Sequence, residues 1–302
     1  MAFNDAVADI VHPEYVLDGF EYDDKDPNSS VVVKALKAYL RPTLPRLASV
    51  RYKAADAGKP EHHEDCMQYI IDASRTEAQK DPQRLSRQTL GLLFATAHQM
   101  PMMTAFTLHN LAVYPKVMEA VRKEIAAAPR PLFDQPGDTA PLLDSVLRET
   151  ARVYPLASIS SMRKTKKPFT FSDGLHIPKG NIIGIPQNAT LKDGSLYPDP
   201  NEFNAWRFMS SETEEKDDES HKGSHRFSHP GPTFPYWGSV KQGCPGRFYV
   251  SVVVKTIVTM IASGYDLALP EKEQRVEISV GPAMIPSPWL QLRLRERKPV
   301  SE

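Results

Sequence analysis

A cysteine that closes a turn-rich loop and opens a helix is placed for thiolate chemistry, and Cys244 stands at such a point in FPYWGSVKQGCPGRF, residues 234 to 248. The unpaired N–H groups and dipole of a helix start stabilise negative charge, which is what a sulfur needs to serve as a metal ligand. A small buried cysteine is the competing reading, and a lone cysteine taken by itself fits that better. Glu149 and Arg152 stand three apart, so they share one helix face and can pair there. On a solvated face such a pair contributes little. Here Leu142, Leu143, Val146 and Leu147 precede it, Pro155 follows it, and Arg207 comes later in a WRF run. Glu149, Arg152 and Arg207 are therefore expected to form a buried network in which each charge offsets the desolvation of the others.

Two further groups carry chemistry on paper. His98, Gln99 and Pro101 sit inside GLLFATAHQMPMMTAF, a stretch apolar on nearly every face of a helix and hence expected to be buried all round. Polar groups and a proline cost stability there, so they call for a functional reason. Pro101 lacks an N–H, which frees the carbonyl of Ala97 and predicts a kink. His62, His63 and Cys66 form a conceivable metal cluster, but no second ligand pair follows at zinc-site spacing. An amphipathic helix with Met67, Ile70 and Ile71 inward is the preferred reading of that stretch.

The elements that must position these residues follow from period and punctuation. Val31 to Leu47 shows helical spacing interrupted by Pro42 and Pro45, which predicts one or two short helices. Asp81-Pro82 reads as N-cap and first helical residue of a long helix running to about Val113. A second helix is expected from Pro115 to about Ala128, and a third from near Thr139 to just before Pro155. Short β-prone runs separated by turns come next: FTFSDG, HIPKG and NIIGIP. Ser210 to Pro232 reads as an exposed loop, Gly246 to Ser263 as a last apolar helix, and WLQLRLRER as a terminal strand.

With 302 residues, 41% of them hydrophobic, the chain can bury a large core without metal or disulfide staples. Lys plus Arg equals Asp plus Glu at 37 each, so no long-range field favours nucleic acid as a partner. Two cysteines make no disulfide framework and suit a reducing, intracellular setting. Residues 1 to 26 show no basic start followed by an apolar run, so neither a signal peptide nor a membrane anchor is expected there. The apolar run Val250 to Ala262 contains Lys255 and is expected to be a buried helix too short to span a bilayer.

The order of long helix, E-T-A-R, IPKG, YPDPNEFNAWRF and W-G-x-x-x-x-x-C-P-G-R-F resembles the C-terminal half of cytochromes P-450, fungal ones above all, over roughly residues 81 to 295. That resemblance implies a mainly α fold with small β-sheets, in which a long central helix and a haem-ligand loop form the core. Residues 1–80 would be a remnant of the family's N-terminal helices, and 81–302 the haem-binding catalytic core. It implies Cys244 as axial ligand of the haem iron and Glu149, Arg152 and Arg207 as the structural triad behind it. Arg163 in SSMRK would contact a haem propionate. Ala157 to Met162 and Met284 to Pro288 would face the substrate. The activity implied is oxidation of a hydrophobic small molecule, with a terpenoid-like fungal secondary metabolite as a plausible substrate, using electrons from NADPH through a separate reductase. A chain that binds haem weakly or not at all, and a haem-thiolate isomerase, dehydratase or peroxygenase, are the alternatives. The implied site is intracellular, cytoplasmic or peripheral on the endoplasmic reticulum.

Three departures from the family pattern stand out. The cysteine loop has Val240 and Gln242 where the family has glycine and a basic residue, so Lys241 is expected to replace the charge beside Gln242. His98 and Gln99 stand in place of the family's acid and threonine and are expected to take over proton delivery. The family's membrane anchor and most of its N-terminal helices have no counterpart.

Overall fold

The computed structural model describes residues 31–58, 63, 65–128, 140–209, 226–238 and 242–297. Two compact units separate within the long helix, Met1–His98 and Gln99–Glu302.

In the first unit, α1 (Val31–Asp56) continues through both Pro42 and Pro45 as one 26-residue helix, where the sequence suggests one or two short ones. Proline removes a donor from the ladder without necessarily ending it, and the Pro45 carbonyl is used by Ser49 Oγ at 2.9 Å. Helix α2 (Cys66–Ala73) is capped by Asp65, whose carboxylate accepts the Gln68 N–H and also pairs with Arg51 at 2.7 Å. Met67 and Ile71 are buried with Ala48 and Leu85, and Ile70 packs against them, the amphipathic register expected. His62 lies outside the described residues.

Helix α3 (Pro82–Val113) starts where Asp81 accepts the N–H groups of Gln83 and Arg84 at 3.2 and 3.0 Å. Such a cap contributes about 1 kcal/mol. Its middle is not buried all round: Leu93 is 44% exposed, and Ala95, His98, Gln99 and Pro101 are exposed as well. An apolar period shows which residues can be covered, not what covers them.

The second unit is built around α4 (Pro115–Ala127), α5 (Pro141–Val153) and α7 (Arg247–Gly264), with a short α6 (Gln187–Leu191) between. Val117, Val121 and Ile125 of α4, Leu143, Val146 and Leu147 of α5, and Val254, Val258 and Ala262 of α7 share one core with Leu191, Phe227 and Phe234. Each such side chain contributes about 1.5–3 kcal/mol when fully buried. Glu124 of α4 caps α5, accepting the N–H groups of Leu142 and Leu143 at 2.7 and 2.9 Å. Arg122 does the converse at the end of α7, donating to the carbonyls of Ala262 and Tyr265.

Helix α7 corrects one expectation. Ser251, Val254, Val258, Thr259 and Ala262 are buried, but Phe248, Tyr249, Val252 and Met260 are exposed, so it buries one stripe only. Its 18 residues, with a mean hydropathy of 1.3, are long and apolar enough to cross a membrane by length and composition alone.

Among the described residues, eight short strands make four two-stranded antiparallel sheets: β1 (Ser160–Lys164) with β4 (Ile182–Ile185), β2 (Phe169–Thr170) with β3 (His176–Ile177), β5 (Tyr265–Ala268) with β8 (Arg293–Glu296), and β6 (Glu277–Val280) with β7 (Ala283–Pro286). Of the expected exposed loop from Ser210 to Pro232, residues 210–225 lie outside the described residues, and Phe227 is fully buried instead of exposed.

Candidate functional site

Glu149 and Arg152 project from α5, whose side chains from Leu142 to Arg152 are all buried. Arg152 Nε and Nη2 bond the two Glu149 oxygens at 2.7 and 2.9 Å, a two-point fork. Arg207 Nε reaches the same oxygens at 3.0 and 3.1 Å, and the Asn204 N–H adds a bond of 2.9 Å. Arg152 then spends its remaining hydrogens on the carbonyls of Leu191, Pro200 and Glu202. Glu149 and Arg152 have no exposed side-chain surface. The network thereby ties α5 to residues 191–207, and the desolvation of three charges is offset by these eight hydrogen bonds.

Cys244 is half-buried against the core, two residues before the N-cap of α7. Burial raises the thiol above its ordinary value, and the Gly246 and Arg247 N–H groups and the charge of Arg247 offset only part of that rise, so the sulfur needs a metal to hold it as thiolate. The loop before it runs through a 3-10 turn, Pro235–Trp237, and then Gly238 at φ +87°. A Cβ at Gly238 would lie 3.1 Å from the Gln242 carbonyl oxygen, so both the backbone angle and the close approach require glycine. The Trp237 carbonyl accepts the Cys244 N–H at 2.6 Å, closing the loop on itself.

Arg163 and Gln242, expected at a propionate, are brought together: Arg163 Nη2 donates to Gln242 Oε1 at 3.1 Å. Lys241 and Val240 lie outside the described residues. His98 and Gln99 are consecutive on α3, at the last position of the first unit and the first of the second. The two expected substrate-facing segments also meet. Ala157 bridges Ala283, the Met284 N–H donates to the Leu156 carbonyl at 3.0 Å, and the Ser158 N–H donates to the Pro282 carbonyl at 2.7 Å. Ser161 in the first of them and Leu156 just before it take left-handed backbone angles, φ +51° and +59°, a conformation rare outside glycine.

A soft thiolate ligand at a helix N-terminus, with amide donors on the sulfur and a cation beside the loop, fits the proximal side of a haem. Sequence reasoning missed Asp144, Arg148, Trp237 and Lys255, which the structure links to this loop. The only signal was Asp144 and Arg148 at i,i+4 on the face of α5 that also carries hydrophobic residues.

A family model described as Cytochrome P450 matches residues 30–292. Among curated proteins, the cytochrome P450 monooxygenase paxP of Penicillium paxilli is 28% identical over 256 residues, 82% of this chain and 47% of that protein. The cytochrome P450 monooxygenase terP of Tolypocladium album is 31% identical over 214 residues, 69% of this chain and 41% of that protein. The cytochrome P450 monooxygenase 103 of Postia placenta is 27% identical over 278 residues, covering 90% and 54%. The chain thus spans about half the length of the curated relatives it matches. Of solved structures, the retinoic acid bound cyanobacterial CYP120A1 superposes with a TM-score of 0.68 at 24% identity, covering 87% of this chain and 57% of that one, a likeness of fold.

Proposed function

The chain belongs to the cytochrome P450 family, and from that premise we propose that it acts as a haem-thiolate monooxygenase with Cys244 as the iron's axial ligand. The observation that carries this is Cys244 itself, half-buried at the start of α7 at the end of a loop that its own N–H closes on the Trp237 carbonyl at 2.6 Å. When bound, the haem supplies the iron centre for oxygen activation, and the sulfur's electron donation favours O–O cleavage. Glu149, Arg152 and Arg207 act structurally, fixing residues 191–207 against α5. Arg163, with Gln242 and Lys241, offers positive charge and a hydrogen-bond donor to a propionate.

The proposed substrate is a hydrophobic small molecule of the terpenoid-like fungal secondary metabolite class. Support comes from the fungal relatives and from Ala157, Ile159, Met162, Met284 and Ile285, apolar residues on the paired segments. Electrons come from NADPH through a separate reductase. The free thiols Cys66 and Cys244 support an intracellular setting.

The test is the absorption spectrum of the reduced, carbon-monoxide-treated protein. Cys244→Ala should abolish the far-red-shifted Soret band while Cys66→Ser keeps it. A Cys244→Ala protein that retained the band would overturn the assignment.

His98 and Gln99 in place of an acid and a threonine favour a second reading, in which the haem enzyme runs a peroxide-driven reaction, isomerisation or dehydration without reductase. In the monooxygenase reading His98 is the proton-relay group that stands in place of the family's acid. His98→Ala should then keep the thiolate spectrum but divert reducing equivalents to hydrogen peroxide. Turnover with peroxide alone, unchanged in that variant, would select the second reading.

A further inference from the structure

We propose that Asp144 is a positioning residue for the Cys244 loop, acting through a continuous run of hydrogen bonds that ends on the Cys244 backbone. The inference rests on the reading of Cys244 as haem ligand.

One oxygen of Asp144, on α5, pairs with Lys255 Nζ of α7. The other accepts the Phe227 N–H at 2.5 Å. The Phe227 carbonyl accepts the Trp237 indole N–H at 2.5 Å, and the Trp237 carbonyl accepts the Cys244 N–H at 2.6 Å. Arg148, one turn along α5, donates from Nη1 to the carbonyls of Arg226 and His229 at 2.6 and 2.9 Å, and its guanidinium lies 3.8 Å over the Phe234 ring. Helix α5 therefore grips Phe227 by its N–H and the backbone on either side by its carbonyls.

Asp144, Arg148, Phe227 and Trp237 are all buried, so each bond is made in a fixed geometry with little competition from water. Lys255 lies on the helix that Cys244 leads into, while Trp237 lies in the loop that precedes it. One carboxylate is thus connected to both flanks of the proposed ligand, through α7 on one side and through Phe227 and Trp237 on the other. Groups at this remove fix the orientation of a metal ligand although they never touch the metal. Asp144 sits on the same helix as Glu149 and Arg152, but its bonds lead to the cysteine loop, whereas theirs lead to residues 191–207.

The test uses the full chain loaded with haem. It reads the fraction of bound haem that gives the red-shifted Soret band after reduction with carbon monoxide, alongside haem affinity and melting temperature. Asp144→Asn keeps an acceptor for the Phe227 N–H but loses the charge facing Lys255. Asp144→Ala loses both. Trp237→Phe keeps an aromatic ring on Phe227 and Tyr236 but loses the indole donor together with part of the ring. The expected order of that fraction is wild type, then Asp144→Asn, then Asp144→Ala, with haem affinity about tenfold lower in the last. Asp144→Ala and Trp237→Phe should combine non-additively, as members of one chain of bonds do. Should Asp144→Ala fail to fold, Asp144→Asn and Trp237→Phe decide the matter. A lower melting temperature with every bound haem still giving the band, or strict additivity, would overturn the proposal. A wild-type chain that binds haem without the band would instead overturn the haem-thiolate reading beneath it.

Discussion

Arg163 donates to Gln242 across 3.1 Å, so two side chains expected to meet a haem propionate separately already meet each other. An arriving carboxylate competes with a neutral amide for the guanidinium. That is a mild competition, because a charged acceptor binds the fork more strongly. Gln242→Ala, which loses one donor to the propionate but frees Arg163, should lower haem affinity only slightly, while Gln242→Glu, which gives Arg163 a permanent anion, should lower it about tenfold. Haem transfer to apomyoglobin measures both, and equal affinities in the two variants would refute a propionate role for Arg163.

Glu149 is the shared acceptor of Arg152, Arg207 and Asn204. Removing it leaves two guanidinium groups facing each other with little solvent. Glu149→Ala should cost about 3–5 kcal/mol in urea unfolding. Arg152→Lys should be nearly as damaging, because one ammonium cannot reach the acceptors that the guanidinium serves from three nitrogens.

Two glycines separate backbone angle from crowding. Gly281 has φ +57° and open space around a built Cβ, whereas Gly238 has φ +87° and the Gln242 carbonyl oxygen at 3.1 Å. Gly281→Ala should cost about 1–2 kcal/mol, the penalty of a left-handed conformation alone. Gly238→Ala should cost more and should also reduce haem binding, since the displaced carbonyl belongs to the cysteine loop. Comparable melting shifts with intact haem binding in both would show that the loop tolerates a side chain there.

Much of the chain's organisation was legible because its signals are local. Asp81-Pro82, Pro115, Pro155 and the turns around Gly174 and Gly180 each mark an element boundary by their own backbone chemistry. Burial was less legible. The apolar faces around Leu93 and Phe248 look alike to a helical period whether or not another element lies over them, and both proved exposed. In the site, Cys244 and the Glu149–Arg152 pair are visible as spacing. The Asp144, Phe227 and Trp237 bonds are not, because each of the three links uses at least one backbone group, which carries no residue-specific signal.

Two carboxyls shift in opposite directions, and acid titration should resolve them. The hydrogen-bonded Arg51 guanidinium holds Asp65 down at about 2, from an ordinary 3.8. Its stabilisation is therefore complete above 3.8 and is lost as pH falls through about 2. Burial raises Glu124 above 4.5, against the pull of the Leu142 and Leu143 N–H groups. A carboxyl raised on folding holds its proton more tightly in the native state, so its contribution is largest below 4.5 and declines as pH rises through the raised value. In melting temperature against pH, Asp65→Asn should flatten the acid limb, and Glu124→Gln should remove a decline lying above it. The reverse assignment of the two limbs would contradict both shifts.

The bridge between Ala157 and Ala283 joins segments more than a hundred positions apart into one pleated patch. On the proposed substrate-facing role of this patch, selectivity there depends on the two segments together. A substitution at Ala157 moves the backbone that Ala283 leans on, so its effect depends on which residue the other already carries. Libraries that vary the two segments one at a time will undersample the useful variants, and paired libraries will find combinations whose single-step intermediates score worse than the starting chain. Ile159 and Met162 are coupled in a second place, because both side chains crowd the same face of Gly184.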